Sequence, residues 1–312
     1  MEPQMSKTQK IVILGLGAVG AFFAERFLAT ENIETCVIAD GERYERLKRD
    51  GIVVNGNKLM PPLMRPDEET SPADLIIVTL KHQHLDDALP DLRNLVGDQT
   101  TIVSFMNGLD SEAAIAELYG VEKVLYGISV GIDSVRDESG IRFSNPGRHI
   151  FGEARNNQPS PRVLAVRDIF TLAWITHDVP ADMIRTLWWK FMINVGANQA
   201  SAVMRAPYGI IQQTPAAQEL VRELMLEVIR LAEVEGVDLT EKDLANWPPI
   251  LNSLAPEGKT SMLQDIEAGR KTELEIFGGK VIELGKKYGI STPVNRIVHQ
   301  IISVLELAGQ SA

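Results

Sequence analysis

The sequence predicts an α/β domain with a doubly wound parallel sheet, followed by an all-α domain. Short apolar runs rich in β-branched residues alternate with helical patterns through the first half of the chain. Near-continuous apolar strands of this kind are typical of sheets covered by helices on both faces. From residue 183 onward, only the helical spacing of apolar residues is found. The predicted domains are therefore 1–182, the α/β domain, and 183–312, the helical domain.

The predicted elements follow one another in a regular order. The apolar runs predict strands at 11–14, 35–39, 75–80, 101–105 and 124–128, with helices at 18–29 and 43–49. Glycine and proline punctuate 128–152, where we expect antiparallel additions to the sheet. A helix at 163–173 and a strand at 174–179 complete the first domain. The second domain is predicted to contain helices at 183–201, 215–235, 261–269, 273–288 and 294–307.

Composition excludes several classes of protein. The 312 residues include 31 Lys and Arg against 42 Asp and Glu, a net charge of −11, which argues against nucleic acid or an anionic membrane as a partner. The one cysteine, Cys36, excludes an intrachain disulfide and a zinc finger, and we predict no metal site. No apolar stretch reaches the roughly 18 residues needed to span a membrane, so we expect a cytoplasmic location.

A glycine-rich run predicts dinucleotide binding. The run Gly15-Leu16-Gly17-Ala18-Val19-Gly20 follows the first predicted strand and opens the first predicted helix. Its glycines permit a tight turn and close approach of the backbone to a pyrophosphate, which the N–H groups of the helix N-terminus attract. We therefore expect all six residues to contact the cofactor of a Rossmann-type domain.

The end of the second predicted strand bears on the choice of cofactor. Asp40 lies there, 20 residues after Gly20. Its carboxylate would accept a hydrogen bond from a ribose 2′-hydroxyl and would repel a 2′-phosphate. Arg43 and Arg46 follow and could restore phosphate binding. The residues alone therefore favour NADH over NADPH.

Three polar residues in an apolar helix predict a catalytic site. Lys190, Asn194 and Asn198 are spaced four residues apart, so they lie within about 80° on one helix face. Their neighbours are Trp, Phe, Met and Ile. An ammonium in this setting can polarise a carbonyl and donate a proton as hydride arrives. The asparagines can hold the oxygens of the substrate.

A second pair can join this site only if the chain bends. On one straight helix, Ser261 and Glu273 would lie about 18 Å apart, and Ala268-Gly269 is a plausible break between them. Ser261 could then bind a carboxylate, and Glu273 could orient Lys190 or a ribose hydroxyl. Ser261 also fits a helix N-cap, and Glu273 also fits an ordinary surface acid.

These motifs together resemble the ketopantoate reductase (2-dehydropantoate 2-reductase) family over nearly the whole chain. The matching pieces are the glycine-rich run, Val-Thr-Leu-Lys at 78–81, Asn107-Gly108, Trp189-Lys190 through Asn198, Ser-Met-Leu-Gln-Asp at 261–265, and Thr272-Glu273. The resemblance implies reduction of 2-dehydropantoate to (R)-pantoate with NADPH, a step towards pantothenate and coenzyme A.

The resemblance also implies roles for individual residues. Lys190 resembles the general acid of the family, and Glu273 resembles the carboxylate that helps to hold the cofactor and the lysine. The implied substrate contacts are Asn107, Asn194, Asn198 and Ser261. Lys81 and Asn107 resemble residues beside the cofactor, near its phosphates and its nicotinamide ribose respectively.

Two departures from the family pattern leave alternatives open. Asp40 stands where many members have arginine, so NADH is a possible cofactor in place of NADPH, and Met106 stands where many have glutamine. The first alternative is an NAD-dependent D-2-hydroxyacid dehydrogenase of the mandelate type. The second is a non-catalytic, dinucleotide-binding regulatory protein, which would have no need of Lys190. A homodimer through the apolar helices of the second domain is also possible.

Overall fold

In the computed structural model, which describes residues 8–137 and 139–310, the chain divides into two units. The first unit ends at Met183 and holds every strand of the described residues, whereas the second begins at Ile184 and is built from helices. None of the described helices is long and apolar enough to cross a membrane.

The strands of the described residues all precede the second unit. They are β1 (Gln9–Leu14), β2 (Ile33–Ile38), β3 (Ile52–Val54), β4 (Asn57–Leu59), β5 (Leu63–Met64), β6 (Leu75–Val78), β7 (Thr101–Ser104), β8 (Val124–Val130), β9 (Asp133–Asp137), β10 (Gly140–Asn145), β11 (Arg148–Gly152) and β12 (His177–Asp178).

Helices occur in both units. The α-helices are α1 (Ala18–Leu28), α2 (Gly41–Asp50), α3 (Leu85–Ala88), α4 (Ser111–Tyr119), α5 (Pro161–Leu172), α6 (Met183–Met204), α7 (Tyr208–Gln213), α8 (Pro215–Val234), α9 (Glu241–Ala245), α10 (Trp247–Asn252), α11 (Ser261–Glu267), α12 (Lys280–Tyr288) and α13 (Pro293–Gln310). Short 3-10 helices cover His82–His84, Leu89–Leu92 and Val121–Lys123, and a π-helix covers Glu275–Gly279.

The main sheet is doubly wound. Its eight strands run in the order β12-β11-β8-β7-β6-β1-β2-β5, and the six from β8 to β5 are parallel. The chain starts in the middle, and the order reverses between β1 and β6. A parallel sheet of this kind binds ligands at the carboxyl ends of its strands beside that reversal.

Alternate residues of the central strands pack into two separate hydrophobic cores, one on each face of the sheet. Ile11 and Ile13 of β1 pack on one face with Phe23 and other apolar residues of α1 and α5. Val12 and Leu14 face the opposite way and pack against apolar residues of α3 and α4. Both faces of the sheet are therefore covered, which confirms the predicted α/β class.

Residues 128–152 depart in part from the sequence expectation. As predicted, β11 adds to the sheet antiparallel to β8. However, β9 and β10 leave this sheet and join β3 and β4 in a second sheet of order β4-β3-β10-β9. The expected strand at 174–179 shrinks to His177–Asp178, because Trp174 has a φ of 54° and is 86% exposed.

Buried polar contacts join three helices of the second unit. The Glu227 carboxylate on α8 accepts hydrogen bonds from the backbone N–H groups of Val294 and Asn295, at 2.9 and 3.0 Å, where α13 begins. The Asn295 side chain in turn accepts a hydrogen bond from Gln199 of α6, at 2.8 Å. This network fixes α6, α8 and α13 to one another.

Candidate active site

The glycine-rich turn after β1 is shaped by close backbone contacts. Gly15 has a φ of 101°, and a Cβ there would lie 2.8 Å from the Thr79 backbone. A Cβ on Gly20 would lie 2.0 Å from the Gly15 carbonyl oxygen. The Thr79 hydroxyl donates a hydrogen bond to that same carbonyl, at 2.7 Å, and so ties the turn to the end of β6.

Gly17 differs from its two neighbouring glycines because it has space around it. Its φ is −81°, which any residue can adopt, and a Cβ there would meet only the Thr79 carbonyl oxygen among the described residues, at 4.0 Å. The turn thus leaves an opening beside Gly17, directly before the first residue of α1. This opening fits a pyrophosphate, since the N–H groups of a helix N-terminus attract an anion.

Further residues predicted to bind the cofactor follow the neighbouring strands. Asp40 comes two residues after β2, Lys81 three residues after β6, and Asn107 three residues after β7. Because these strands are parallel to β1, their carboxyl ends meet at one edge of the sheet. The first unit therefore gathers Asp40, Lys81 and Asn107 at the edge where the glycine-rich turn lies.

Asp40 forms an ion pair that the sequence did not predict. It is the N-cap residue of α2, but its side chain makes no capping hydrogen bond. Instead, Arg65 lies 3.6 Å from its carboxylate and stacks 4.1 Å above the Tyr44 ring. Arg65 also binds Glu45, at 2.6 Å. The sequence did not predict β5, the two-residue strand that brings Arg65 to this edge.

Met106 lies in the core of the first unit. It is 4% exposed and packs with Ile115 and Val124. At this departure from the family pattern, the Met106 side chain therefore contributes to the packing between the sheet and α4.

In the second unit, α6 carries the three residues predicted to form the catalytic site, Lys190, Asn194 and Asn198. Asn194 and Asn198 are buried, at 5% and 8% exposed, and Lys190 is half-buried on the same helix face. Removal of water by the surrounding protein lowers the pKa of Lys190 to about 8. A lysine with this pKa still carries its proton at neutral pH and gives it up readily, as a general acid must.

The segment after α11 contains the expected bend. The helix ends at Glu267, and Gly269 has a φ of 62°. Thr272 then anchors the chain, since its backbone N–H donates a hydrogen bond to Glu306 at 2.8 Å. Glu273 follows this anchor and is half-buried.

Ser261 does not cap α11, so one of its two predicted roles is wrong. The N-cap residue is Thr260, whose hydroxyl accepts a hydrogen bond from the Leu263 backbone N–H at 3.2 Å. Thr260 occupies the cap because its backbone is extended, whereas Ser261 is the first helical residue. The Ser261 side chain is exposed.

Sequence reasoning also missed a buried carboxylate. Glu112, at the start of α4, is 3% exposed, and burial raises its pKa to about 7. It follows the conspicuous pair Asn107-Gly108 by only a few residues, but no spacing or composition signal distinguishes it from the exposed Glu117 on the same helix.

Comparison with known proteins gives a consistent family. The family model described as "Ketopantoate reductase PanE/ApbA" matches residues 11–156, and "Ketopantoate reductase PanE/ApbA C terminal" matches residues 182–306. A 2-dehydropantoate 2-reductase of Streptococcus pyogenes serotype M6 is 25% identical over 301 residues, which cover 95% of this chain and 97% of that protein.

Solved structures share the fold over almost the full length. The 2-dehydropantoate 2-reductase of Geobacter metallireducens has a TM-score of 0.82 at 26% identity, covering 94% of this chain and 99% of its own. A D-mandelate dehydrogenase bound to NADH and anilino(oxo)acetate has a TM-score of 0.87 at 20% identity, covering 96% of this chain and 99% of its own, and this likeness shows the fold alone. Since the two family models together match most of its residues, the chain belongs to the ketopantoate reductase family.

Proposed function

We propose that this protein reduces 2-dehydropantoate to (R)-pantoate in pantothenate and coenzyme A biosynthesis. The observation that carries the proposal is the row on α6, in which two buried asparagines share one face with a lysine whose pKa is lowered to about 8. Family membership and the names of the relatives support the substrate. The domain roles proposed are dinucleotide binding for 1–182 and substrate binding for 183–312.

The proposed reaction needs a proton donor and groups that hold the substrate. A bound nicotinamide supplies the hydride that the keto carbon accepts. Lys190 donates its Nζ proton to the oxygen of that carbon, so the carbonyl becomes a hydroxyl and the lysine becomes neutral. Asn107, Asn194, Asn198 and Ser261 hold the oxygens of the substrate.

The other contacts are assigned to the cofactor. Backbone N–H groups of residues 15–20 bind its pyrophosphate, and Lys81 lies near its phosphates. Asn107 and Glu273 are assigned to the nicotinamide ribose, and Glu273 also orients Lys190. The half-buried position of Glu273 after the Thr272 anchor supports this positioning role.

Initial rates with 2-dehydropantoate and with phenylglyoxylate, each with both cofactors, test the proposal. Efficient reduction of 2-dehydropantoate is the expected result. Reduction of phenylglyoxylate alone would assign the protein to the D-2-hydroxyacid dehydrogenases. Absence of turnover with both substrates, while the cofactor still binds, would favour a regulatory protein or a different oxo acid.

We propose NADH as the preferred cofactor. The Asp40 carboxylate follows β2, makes no helix-capping bond and is largely exposed, so it can accept a hydrogen bond from a ribose 2′-hydroxyl. NADPH is the second candidate. One observation favours it. Partial burial and the nearby charges of Arg46 and Arg136 lower the pKa of Arg43. These three arginines therefore lie close together, and their positive charges would attract a 2′-phosphate.

The substitution Asp40→Ala is expected to raise the ratio of kcat/KM with NADPH to kcat/KM with NADH by about tenfold. Removal of the carboxylate abolishes its repulsion of the 2′-phosphate and the bond to the 2′-hydroxyl. Asp50→Ala, at the other end of α2, is the matched control. An unchanged ratio in Asp40→Ala would exclude a role for this carboxylate in cofactor choice.

We also propose a homodimer, formed through α13. Four apolar side chains lie on one stripe of this helix and are 43–65% exposed: Ile297, Ile301, Val304 and Leu307. Sedimentation velocity should therefore detect a dimer, and Val304→Glu should shift it towards monomer. Val234→Glu, at an exposed apolar residue of α8, is the control. A monomeric wild-type protein would contradict this proposal. The cytoplasmic location stays a prediction from the sequence.

A further inference from the structure

The Glu112 carboxylate is buried with only part of its hydrogen-bonding capacity used. It is 3% exposed. Its Oε2 accepts a hydrogen bond from the Ser111 hydroxyl at 3.0 Å, whereas its Oε1 has no hydrogen-bond partner among the described residues. A buried carboxylate with an unpaired oxygen lowers folding stability, so its presence calls for an explanation.

Two serines connect this carboxylate to the turn between β7 and α4. Ser104 is the last residue of β7, Ser111 is the first of α4, and their hydroxyl oxygens lie 2.7 Å apart. The Ser104 hydroxyl also accepts a hydrogen bond from the Met106 backbone N–H, at 3.3 Å. The two ends of the 105–110 turn are therefore joined through hydroxyl groups.

When Glu112 is ionised, it fixes the donor and the acceptor of every hydrogen bond in this series, from Ser111 to Ser104 to Met106. A carboxylate only accepts hydrogen bonds, so the single hydroxyl proton of Ser111 must point to it. Ser111 can then only accept from Ser104, and Ser104 in turn accepts from Met106. Protonation of Glu112 weakens this acceptor and adds an O–H that can itself donate to Ser111, so the order of the hydrogen bonds is no longer fixed.

We infer that Glu112 is a positioning residue, which acts through Ser111 and Ser104 to hold the turn that carries Asn107 in its binding geometry. The inference rests on the proposed role of Asn107 beside the nicotinamide ribose. Glu112 itself is not assigned a contact with substrate or cofactor.

The ionisation of Glu112 falls in an accessible pH range. Burial raises its pKa to about 7, which outweighs the lowering by the Ser111 hydrogen bond, and the charge of Asp110 raises it further. Tyr126 of β8 is a second titratable group that faces it among the described residues. Binding that depends on the carboxylate should strengthen as pH rises through 7.

Folding stability should change in the opposite direction. The pKa of Glu112 is higher in the folded protein than its ordinary value of 4.5, so the folded state binds more protons between these values. The stability contributed by protonated Glu112 is complete below about pH 4.5 and is lost as pH rises through 7. If Glu112 had only a structural role, cofactor binding would not strengthen over the pH range in which ionisation of Glu112 lowers folding stability.

The experiment compares wild-type protein, Glu112→Gln and the control Glu117→Gln, an exposed glutamate on the same helix. NADH dissociation constants are measured by fluorescence from pH 6 to 8.5, beside melting temperatures. In the wild type, the dissociation constant should fall about fivefold over this range. Glu112→Gln should show no such fall and bind about tenfold more weakly at pH 8, and Glu117→Gln should match the wild type.

A double-mutant cycle tests the route of the effect. In an Asn107→Ala background, Glu112→Gln should cause no further loss of affinity, because both changes remove the same contact. If Glu112→Gln fails to fold, Ser111→Ala replaces it, since this variant breaks the same chain of hydrogen bonds and should weaken NADH binding similarly.

Two other results would count against the inference. Wild-type affinity and wild-type pH dependence in Glu112→Gln, or additive losses in the cycle, would overturn it and leave the proposed function intact. Failure of the wild-type protein to bind either nicotinamide cofactor would overturn the proposed function and this inference with it.

Discussion

Lys190→Ala is expected to lower kcat for reduction of 2-dehydropantoate by at least about 100-fold while cofactor affinity changes little. The developing alkoxide loses its proton donor, and general acid catalysis contributes about 10²–10⁴-fold. Lys286→Ala, an exposed lysine of the same unit, should retain wild-type rates. The measurements are steady-state kinetics and an NADH titration of each variant. Unchanged turnover in Lys190→Ala would refute the role of this lysine and favour a binding protein.

The pH profile of the wild-type enzyme provides a second measurement of the same role. Only the protonated lysine can donate, and the pKa of Lys190 is lowered to about 8. The value of kcat/KM for reduction should therefore fall as pH rises through 8, and oxidation of pantoate should become faster over the same range. A reduction rate that stays constant from pH 7 to 9 would contradict this assignment.

Gly17→Val is expected to weaken NADH binding by about 100-fold without unfolding the protein. The backbone at Gly17 has ordinary dihedral angles, and a Cβ atom there meets no close neighbour among the described residues, so the turn can keep its shape. That side chain would nevertheless occupy the place where the backbone must approach the pyrophosphate. The melting temperature of the variant should stay within about 2 °C of the wild type.

Gly20→Ala is the matched comparison and should lose stability as well as binding. Its new Cβ would lie 2.0 Å from the Gly15 carbonyl oxygen and 2.6 Å from the Thr79 hydroxyl oxygen, so the turn or α1 must move. Overpacking of this kind costs about 3 kcal/mol. Wild-type NADH affinity in Gly17→Val would show that the cofactor pyrophosphate binds elsewhere.

Several features of this protein could be predicted because their signals are local. The alternation of apolar runs with helical patterns predicted the doubly wound sheet. Within it, the glycines of 15–20 require a tight turn, since two of them have no room for a side chain. The spacing of Lys190, Asn194 and Asn198 placed them on one helix face, which follows from the geometry of any α-helix.

Other features depend on contacts between residues that are distant in the chain. Arg65 reaches Asp40 because a two-residue strand pairs with β2, and so short a strand has no periodicity to detect. Glu112 is buried because β7, β8 and α4 converge around it, whereas Glu117 on the same helix is exposed. The sequence by itself determined the fold class, the tight glycine-rich turn and the placement of Lys190, Asn194 and Asn198 on one helix face, because these depend on local spacing. Only the tertiary structure decided the partner of Asp40 and the raised pKa of Glu112, since removal of water and pairing of charges arise when separate segments pack together.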